Sequence, residues 1–192
     1  MKKKYNLIEE NLKKHLLILS KDRNEIIKKA YKLSNLIIYC IKKKKKILIF
    51  GNGGSAADAQ HFSTELTVRL KKNRKALSAL ALTTDTSAIT AIGNDYGFSK
   101  IFSRQIEALY QKGDLIIPIS TSGKSPNIIE ALKVSKKKHA KIFGILGSKG
   151  GKSKKYCSDS FIVSSSDPSR IQEVHILFWQ SACEVVENYF FE

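Results

Sequence analysis

The amino-acid sequence predicts an α/β protein built on a doubly wound, parallel, five-stranded sheet. Short β-branched apolar runs of strand length alternate along the chain with longer stretches in which apolar residues recur at helical spacing. Several runs are apolar at every position, which is typical of parallel strands that are buried on both faces. The runs end in turns rich in glycine, serine or threonine. Strands that alternate with helices in this way form parallel sheets with helices on both faces.

The order of elements begins with helices and continues into the sheet. Residues 1–45 contain two stretches of helical spacing, so two N-terminal helices are expected there. The α/β core is expected at 46–192, and no repeat or linker divides the chain, so residues 1–192 are expected to form one domain. The strands are expected at 47–50, 77–82, 115–119, 142–146 and 161–163, and the helices of the core at 55–70, 87–92, 99–110, 126–138 and 168–191.

The composition argues against several classes of function. The net charge of +17 is compatible with a nucleic-acid-binding face, but only five of the 34 basic residues are arginines, which base and phosphate recognition favours. The lysines form runs at predicted helix ends, where they are solvated, so nucleic acid is not the expected partner. The scattered Cys40, Cys157 and Cys183 indicate neither a disulfide framework nor a thiolate zinc site. No apolar run approaches the ~20 residues that span a bilayer, so a cytoplasmic protein without a membrane partner is expected.

Three of the predicted turns contain residues suited to binding an anion. We name them the glycine turn (residues 51–55), the hydroxyl turn (residues 120–125) and the lysine turn (residues 147–153). In a parallel sheet, ligands bind beyond the carboxyl ends of the strands, where these turns are expected. Backbone N–H groups and hydroxyls at a helix start bind phosphate, although ordinary βα turns have a similar composition. The hydroxyl turn supplies four such hydroxyls, from Ser120, Thr121, Ser122 and Ser125.

The glycine turn also fits a second class of ligand. Gly51, Gly53 and Ala56 match the G-x-G-x-x-A fingerprint of dinucleotide-binding proteins. The acidic residue that such a site requires after the second strand would be Asp85, which lies later than the usual spacing. A dinucleotide site would also leave the hydroxyl turn without a role, so a phosphate ester is the preferred ligand.

Two candidate catalytic side chains follow the glycine turn. His61 and Glu65 are four residues apart on the predicted helix, which places them on one helix face, one turn from each other. Such a pair can hold a metal or move a proton, but it also occurs on solvated helix faces. In the last helix, Gln172 has an alternative role as a cap partner and His175 an alternative role in the core, so spacing alone assigns neither of them.

Taken together, these motifs resemble those of the phosphoheptose isomerases of the SIS (sugar isomerase) family. The resemblance implies a flavodoxin-like core and the conversion of sedoheptulose 7-phosphate into D-glycero-D-manno-heptose 7-phosphate, a step toward the ADP-heptose of lipopolysaccharide core or capsule. It also implies a homotetramer with active sites between subunits, because the last helix has to reach the glycine turn. The motifs that carry the resemblance are 51–55, Asp58, 60–62, 65–66, 83–86, 93–97, 102–104, 120–125, 170–173 and His175.

The resemblance further implies roles for individual residues. Glu65 is expected to be the catalytic base that moves a proton through an enediolate, assisted by one Zn²⁺ per active site. The positions of zinc ligands are those of His61, Glu65, Gln172 and Gln180, and position 180 is also that of the second acid/base. Substrate contacts are expected from Asn52, Gly53, Gly54, Ser55, Glu65, Asn94, Asp95, Ser120, Thr121, Ser122, Ser125 and Gln172.

One position departs from the pattern of the family. The family carries a histidine where this chain has Gln180, and an amide does not titrate near neutral pH. Ser169 likewise replaces an aspartate that some members carry. Three accounts stay open: a natural variant in which Glu65 makes both proton transfers or His175 substitutes in part, an altered active site, or a non-catalytic relative. The last is a tetrameric SIS protein that binds the bacterial replication initiator, although that protein lacks the carboxylate that Glu65 supplies here.

Overall fold

The computed structural model describes residues 2–191, with side chains from Tyr5 onward, so Met1 and Glu192 of the expected domain lie outside the described residues. Five parallel strands form one sheet in the order β2-β1-β3-β4-β5. This arrangement confirms the expected doubly wound α/β class. The strands are β1 (Ile47–Phe50), β2 (Ala79–Ala81), β3 (Leu115–Ser120), β4 (Lys141–Leu146) and β5 (Asp159–Ile162).

Helices connect the strands and precede the sheet. The expectation of two N-terminal helices is wrong, because a single helix covers both stretches. Its sequence contains neither glycine nor proline, so nothing in it breaks the ladder of backbone hydrogen bonds. The helices are α1 (Lys2–Lys42), α2 (Gly54–Thr67), α3 (Thr86–Tyr96), α4 (Ile101–Leu109), α5 (Pro126–Lys137) and α6 (Pro168–Phe191), with 3-10 turns at Phe98–Lys100, Ser148–Gly150 and Lys154–Tyr156.

The bounds of the strands differ from expectation mainly at the two edges of the sheet. The strand β2 covers Ala79–Ala81 instead of 77–82, and β5 covers Asp159–Ile162 instead of 161–163. Each edge strand pairs with one neighbour only, so its length depends on that neighbour as well as on its own apolar residues. The strand β1, which has a neighbouring strand on each side, is buried at every position and has the expected bounds.

Two hydrophobic layers cover the two faces of the sheet. Along β1, Ile47 and Ile49 belong to the layer beneath α1, α2 and α6, whereas Leu48 and Phe50 belong to the layer beneath α4 and α5. The long helix α1 packs along α6 in the first layer. Within residues 2–191, no helix combines the length and the apolar character that crossing a membrane requires.

A buried ion pair ties the C-terminal end of α2 to α6. The carboxylate of Glu187 accepts backbone N–H bonds from Leu70 (3.0 Å) and Lys71 (2.9 Å), and Arg74 Nε donates to it at 2.9 Å. Arg74 also donates to the carbonyl oxygen of Glu65 at 2.5 Å. Burial raises the pKa of the Glu187 carboxyl, but these N–H groups and the guanidinium outweigh that effect and lower the pKa to about 2. The helix that carries Glu65 is therefore held at its C-terminal end.

Glu187→Gln is expected to lower the free energy of unfolding by about 2–4 kcal/mol, because the Arg74 guanidinium would stay buried without its counter-charge. Urea unfolding followed by circular dichroism measures the change. Glu184→Gln is the matched control on the same helix, since Glu184 pairs with Lys71 at the surface and should change stability by less than ~0.5 kcal/mol. Equal losses in the two variants would contradict the role assigned to the buried pair.

Candidate active site

The glycine turn makes a tight connection from β1 to α2. Ser55 N donates to the Asn52 carbonyl oxygen at 3.0 Å, and Gly53 has a φ of +54°, a left-handed conformation that glycine adopts without strain. At Gly54, a Cβ atom would overlap the side-chain amide of Gln172, so glycine permits α6 to lie directly against the start of α2. Gly53 and Gly54 are exposed and Asn52 is half-buried, whereas Ser55 is only 3% exposed. Three of the four substrate contacts expected in this turn are thus accessible, and Ser55 is not.

The hydroxyl turn folds around Gly123. Ser120 Oγ accepts a hydrogen bond from Gly123 N at 3.0 Å, and Ser122 Oγ accepts one from the backbone N–H two residues later at 3.2 Å. Gly123 has a φ of +60° and lies against the Gly150 carbonyl with no room for a Cβ atom. Ser125 occupies the N-cap position of α5, but its side chain makes no capping bond. The Ser125 hydroxyl is therefore available to a ligand at the positive end of the helix dipole.

A pair of amide side chains joins the glycine turn to the start of α5. Asn52 Nδ2 donates to Asn127 Oδ1 at 2.9 Å, and Asn127 Nδ2 donates back to Asn52 Oδ1 at 2.8 Å. Asn127 is only 2% exposed, and its Oδ1 also accepts the backbone N–H of Ile128 at 2.9 Å. The pair holds the two turns together at the carboxyl ends of the adjacent strands β1 and β3. Sequence reasoning missed Asn127, because an asparagine in the first turn of a helix is an ordinary residue there.

His61 and Glu65 are in contact, as their four-residue spacing predicted. His61 Nε2 lies 2.7 Å from Glu65 Oε1, and the side chains are 47% and 15% exposed respectively. The His61 ring also makes an edge contact with Trp179, at a centroid distance of 4.9 Å and an interplanar angle of 79°. Trp179 is fully buried and stacks on Phe62 at 5.1 Å. The pair therefore lies at an open surface, with a rigid aromatic contact that orients the imidazole.

The last helix reaches the glycine turn within the same chain. The helices α2 and α6 lie side by side on one face of the sheet, with Gln172 against Gly54 and Trp179 against His61. This contact therefore does not require another subunit, because α6 packs against α2 on the same face of the sheet within one chain. Gln180 directly follows Trp179 and is half-buried, at the same height along α6 as the contact with His61.

Asn94 and Asp95 lie in the last turn of α3, and both side chains are exposed. Within the described part of the chain, the side-chain hydrogen bond that they make joins them to each other, from Asn94 Nδ2 to Asp95 Oδ1 at 2.8 Å. No residue of α3 is fully buried, and the aromatic rings of Tyr96 and Phe98 that follow are 55% and 63% exposed. Within the described part of one chain, neither of these two expected substrate contacts is therefore hydrogen-bonded through its side chain to the glycine turn or the hydroxyl turn.

His175 belongs to the core of the protein. It is fully buried, and its Nε2 donates to the Leu146 carbonyl oxygen at 3.0 Å. Burial lowers the pKa of this imidazole to about 4, so it is neutral at physiological pH. The hypothesis that His175 substitutes in part for the histidine absent from position 180 is wrong, because the ring faces β4 and has no access to solvent.

Zinc ligation within one chain is incomplete. Between Tyr5 and Phe191, no three His, Cys, Asp or Glu side chains form a group suited to a metal ion. The touching pair His61 and Glu65 supplies an imidazole nitrogen and a carboxylate, which are donors that zinc prefers. The other expected ligands, Gln172 and Gln180, offer amide oxygens, which are weaker donors for zinc. Within one chain, the described residues therefore fit a zinc ion with two strong ligands, His61 and Glu65.

A model of the SIS domain matches residues 10–147, which is most of the chain. The chain belongs to the SIS domain family. Among curated SIS relatives, phosphoheptose isomerase 1 of Campylobacter jejuni is 51% identical over 186 residues, covering 96% of this chain and 99% of the relative. A phosphoheptose isomerase of Helicobacter pylori is 47% identical over 184 residues, covering 96% of each chain. The resemblance inferred from the motifs is confirmed.

Solved structures of SIS proteins share the fold over nearly the whole chain. The phosphoheptose isomerase GmhA of Neisseria gonorrhoeae superimposes with a TM-score of 0.90 at 37% identity, over 96% of this chain and 98% of that one. A phosphoheptose isomerase of Francisella tularensis gives a TM-score of 0.89 at 30% identity, with the same coverage. The five-stranded parallel sheet with its flanking helices is thus the SIS fold.

The buried His175 is expected to make stability depend on pH. Its pKa of about 4 in the folded protein lies below the ordinary 6.5, so the unfolded chain takes up a proton first as the pH falls. The free energy of unfolding is therefore expected to decrease between pH 6.5 and 4, by about 2–3 kcal/mol from this group.

Urea unfolding at a series of pH values measures this dependence. His175→Gln is expected to lose this component, because glutamine does not titrate. His139→Gln is the control, since His139 is exposed, and it should keep the dependence of the parent. A His175 variant with the parent's dependence between pH 6.5 and 4 would refute the assignment.

Proposed function

We propose that the chain isomerises sedoheptulose 7-phosphate to D-glycero-D-manno-heptose 7-phosphate in the cytoplasm, as a step toward ADP-heptose for lipopolysaccharide core or capsule. One observation carries the proposal. The glycine turn and the hydroxyl turn, both suited to a sugar phosphate, are joined by Asn52 and Asn127, and the glycine turn begins the helix that presents the paired His61 and Glu65. The names of the SIS relatives that match nearly the whole chain support the same substrate.

The hydroxyl turn is the proposed site for the phosphate of the substrate. Thr121, Ser122 and Ser125 are half-buried, which leaves their hydroxyls within reach of a ligand. The helix α5 begins at Pro126, so its first backbone N–H groups point toward the same place and favour negative charge. The glycine turn, with the Asn52 amide and the exposed Gly53 and Gly54, would then contact the hydroxyls of the sugar.

The proton transfer is assigned to Glu65. Its carboxylate removes a proton from C1 of the ketose, the C–H electron pair forms the C1–C2 double bond, and the carbonyl oxygen at C2 takes the negative charge. The carboxylic acid returns a proton to C2, and the hydroxyl on C1 gives its proton to the oxygen on C2, so that the aldehyde forms at C1. His61 orients the carboxylate through its contact at Oε1. Because Gln180 does not titrate, Glu65 makes both transfers at carbon.

Zinc is the proposed cofactor, with His61 and Glu65 as its strong ligands and the amide oxygens of Gln172 and Gln180 as weak ones. When it is bound, Zn²⁺ supplies a Lewis acid that polarises an oxygen of the substrate. A site with two strong ligands is expected to exchange its metal more readily than one with three. The chain therefore depends on the zinc concentration of its surroundings more than a protein with a histidine at position 180.

A homotetramer with active sites shared between subunits is the proposed assembly. The half of α1 toward its N-terminus exposes apolar side chains that a neighbouring subunit would cover. The helix α3 has no fully buried residue and carries Asn94 and Asp95, so a neighbour packed against it would bring these side chains to a shared site. The exposed apolar residues of α1 in this stretch are Tyr5, Leu7, Ile8, Leu12, Leu16 and Leu17, each of them more than 50% exposed.

Glu65→Gln tests the role of the carboxylate. The amide keeps the size of the side chain but cannot accept the proton and is a weaker zinc ligand, so kcat for sedoheptulose 7-phosphate is expected to fall by about 100- to 10,000-fold. The assay measures formation of the aldose with zinc present. Glu107→Gln, an exposed change on α4, is the control and should keep the parent rate. A Glu65 variant within a few-fold of the parent would remove Glu65 from the mechanism.

Gln180→His tests the proposed effect of the missing imidazole. A histidine there adds a titrating group and a third strong zinc ligand, so we expect kcat to rise at least ~10-fold and zinc to survive dialysis. Metal content by mass spectrometry and turnover are measured on the same samples, with Gln111→His, an exposed change away from α6, as the control. No change in either quantity would show that position 180 lies outside the site.

The parent protein decides between the enzyme and the initiator-binding alternative. If zinc-loaded parent protein shows no turnover but binds the replication initiator tightly, the alternative is favoured. The presence of Glu65 in contact with His61 is the observation that favours the enzyme.

A further inference from the structure

A cavity lies on the side of the lysine turn away from the hydroxyl turn, between the lysine turn and α1. It has a volume of about 430 Å³, which is within the range of small-molecule sites. Lys21 of α1 forms one wall, and the segment after β5 forms another. None of the residues expected to bind substrate or metal lines it. The lining residues are Lys21, Ser148, Lys149, Val163, Ser164, Ser165 and Ser166.

The residues around this cavity include groups that bind anions. Six of its seven lining residues carry an ammonium or a hydroxyl group, and none of the described residues that line it carries a carboxylate. In the part of the chain with described side chains, no ion pair involves Lys21 or Lys149, so neither ammonium is neutralised by a carboxylate. Two ammonium groups with several hydroxyl donors are suited to the charge and the oxygen atoms of a phosphate group.

Hydrogen bonds fix the walls of the cavity in place. Asp22, which is 8% exposed, accepts bonds from Ser164 N at 2.8 Å and Ser164 Oγ at 2.6 Å. Ser148 N donates to the Ser165 carbonyl oxygen at 3.1 Å, and Ser165 Oγ accepts the backbone N–H of Asp167 at 3.1 Å. The Asp22 carboxylate is thus occupied by Ser164 and does not line the cavity, while the Ser165 hydroxyl keeps its proton for a ligand.

The backbone of the lysine turn takes an uncommon conformation at this cavity. Ser148 and Lys149 have φ values of +47° and +64°, in the left-handed region that residues other than glycine rarely adopt. Such conformations persist where the surroundings enforce them, and they concentrate at ligand sites. Here two consecutive residues in this conformation both line the cavity.

The lysine turn also separates this cavity from the hydroxyl turn. Ser153 N and Ser153 Oγ both donate to the Gly123 carbonyl oxygen at 2.9 Å, and Gly150 packs directly on Gly123. The side of the turn that carries Ser148 and Lys149 faces the cavity instead. The two places are therefore neighbours but are not parts of one pocket.

We propose that this cavity binds the phosphate group of a small metabolite, at a site separate from the proposed catalytic one. The ligand class is a phosphate monoester or a nucleotide, both of which present the same phosphate chemistry. The site does not depend on isomerase activity, since none of its residues takes part in the proposed proton transfer.

Isothermal titration calorimetry of the full-length protein with inorganic phosphate and with ADP tests the proposal. The parent protein is expected to bind at least one of these probes at one site per chain. The Lys21→Gln/Lys149→Gln double variant is expected to bind that probe at least ten-fold more weakly. The Lys14→Gln/Lys154→Gln double variant is the control with the same change of charge, at exposed positions outside the cavity, and it should bind as the parent does. Binding of ADP but not of inorganic phosphate would identify a nucleotide as the ligand class. Binding of inorganic phosphate but not of ADP would identify a simple phosphate ester.

A background with Ser122→Ala and Ser125→Ala separates the two sites. In that background the cavity should still bind its probe and should lose it when Lys21 and Lys149 are also replaced. If the Lys21/Lys149 and the Lys14/Lys154 double variants weaken binding equally, the loss comes from the lower net charge of the protein and the proposal fails. It also fails if the parent binds neither probe, or binds only at a site that the serine changes remove. A parent protein without isomerase activity would refute the proposed function, but it would leave the result of this binding experiment unchanged.

Discussion

The parallel pairing of β1 with β3 is the constraint on which the proposed site depends. Ile47 pairs with Leu115 and Phe50 with Pro118, so the glycine turn and the hydroxyl turn leave the sheet side by side. The reciprocal bonds between Asn52 and Asn127 then set the spacing between the turns. A sugar phosphate bound across them would be oriented before any chemistry begins. Orientation of this kind contributes up to roughly 7–11 kcal/mol to the lowering of a barrier.

The helix α2 relies on α6 for its position. Its N-cap residue is Gly53, which has no side chain that could accept a hydrogen bond from the first backbone N–H groups of the helix. Contact with α6 compensates along its length, at Gly54 near the start and at His61 in the middle, and the pair Arg74 and Glu187 holds the loop after its end. The proposed catalytic carboxylate therefore lies on an element whose orientation is set by side chains more than 100 residues away in the chain, as the 113-residue separation of Arg74 and Glu187 illustrates.

Local patterns predicted most of the fold and the contact between His61 and Glu65. The apolar run of β1, the hydroxyl turn and the contact of His61 with Glu65 are all encoded within a few residues, so spacing was sufficient. The bond between Asn52 and Asn127 spans 75 residues, and no periodicity reports such a pair. His175 was ambiguous for a different reason. The spacing of residues along a helix shows on which face of the helix a side chain lies, but not which element packs against that face. The two expected N-terminal helices proved continuous because an apparent change in apolar pattern does not break a helix unless the backbone is interrupted.

A crystal structure of the zinc-loaded protein with sedoheptulose 7-phosphate bound would show where the phosphate and Glu65 lie. Phosphoryl oxygens are expected within about 3 Å of the hydroxyls and N–H groups of the hydroxyl turn. The Glu65 carboxylate is expected within roughly 3–3.5 Å of C1 and C2 of the sugar in the assembled oligomer. A phosphoryl group bound away from this turn, or a Glu65 side chain directed away from the sugar, would overturn the proposed site.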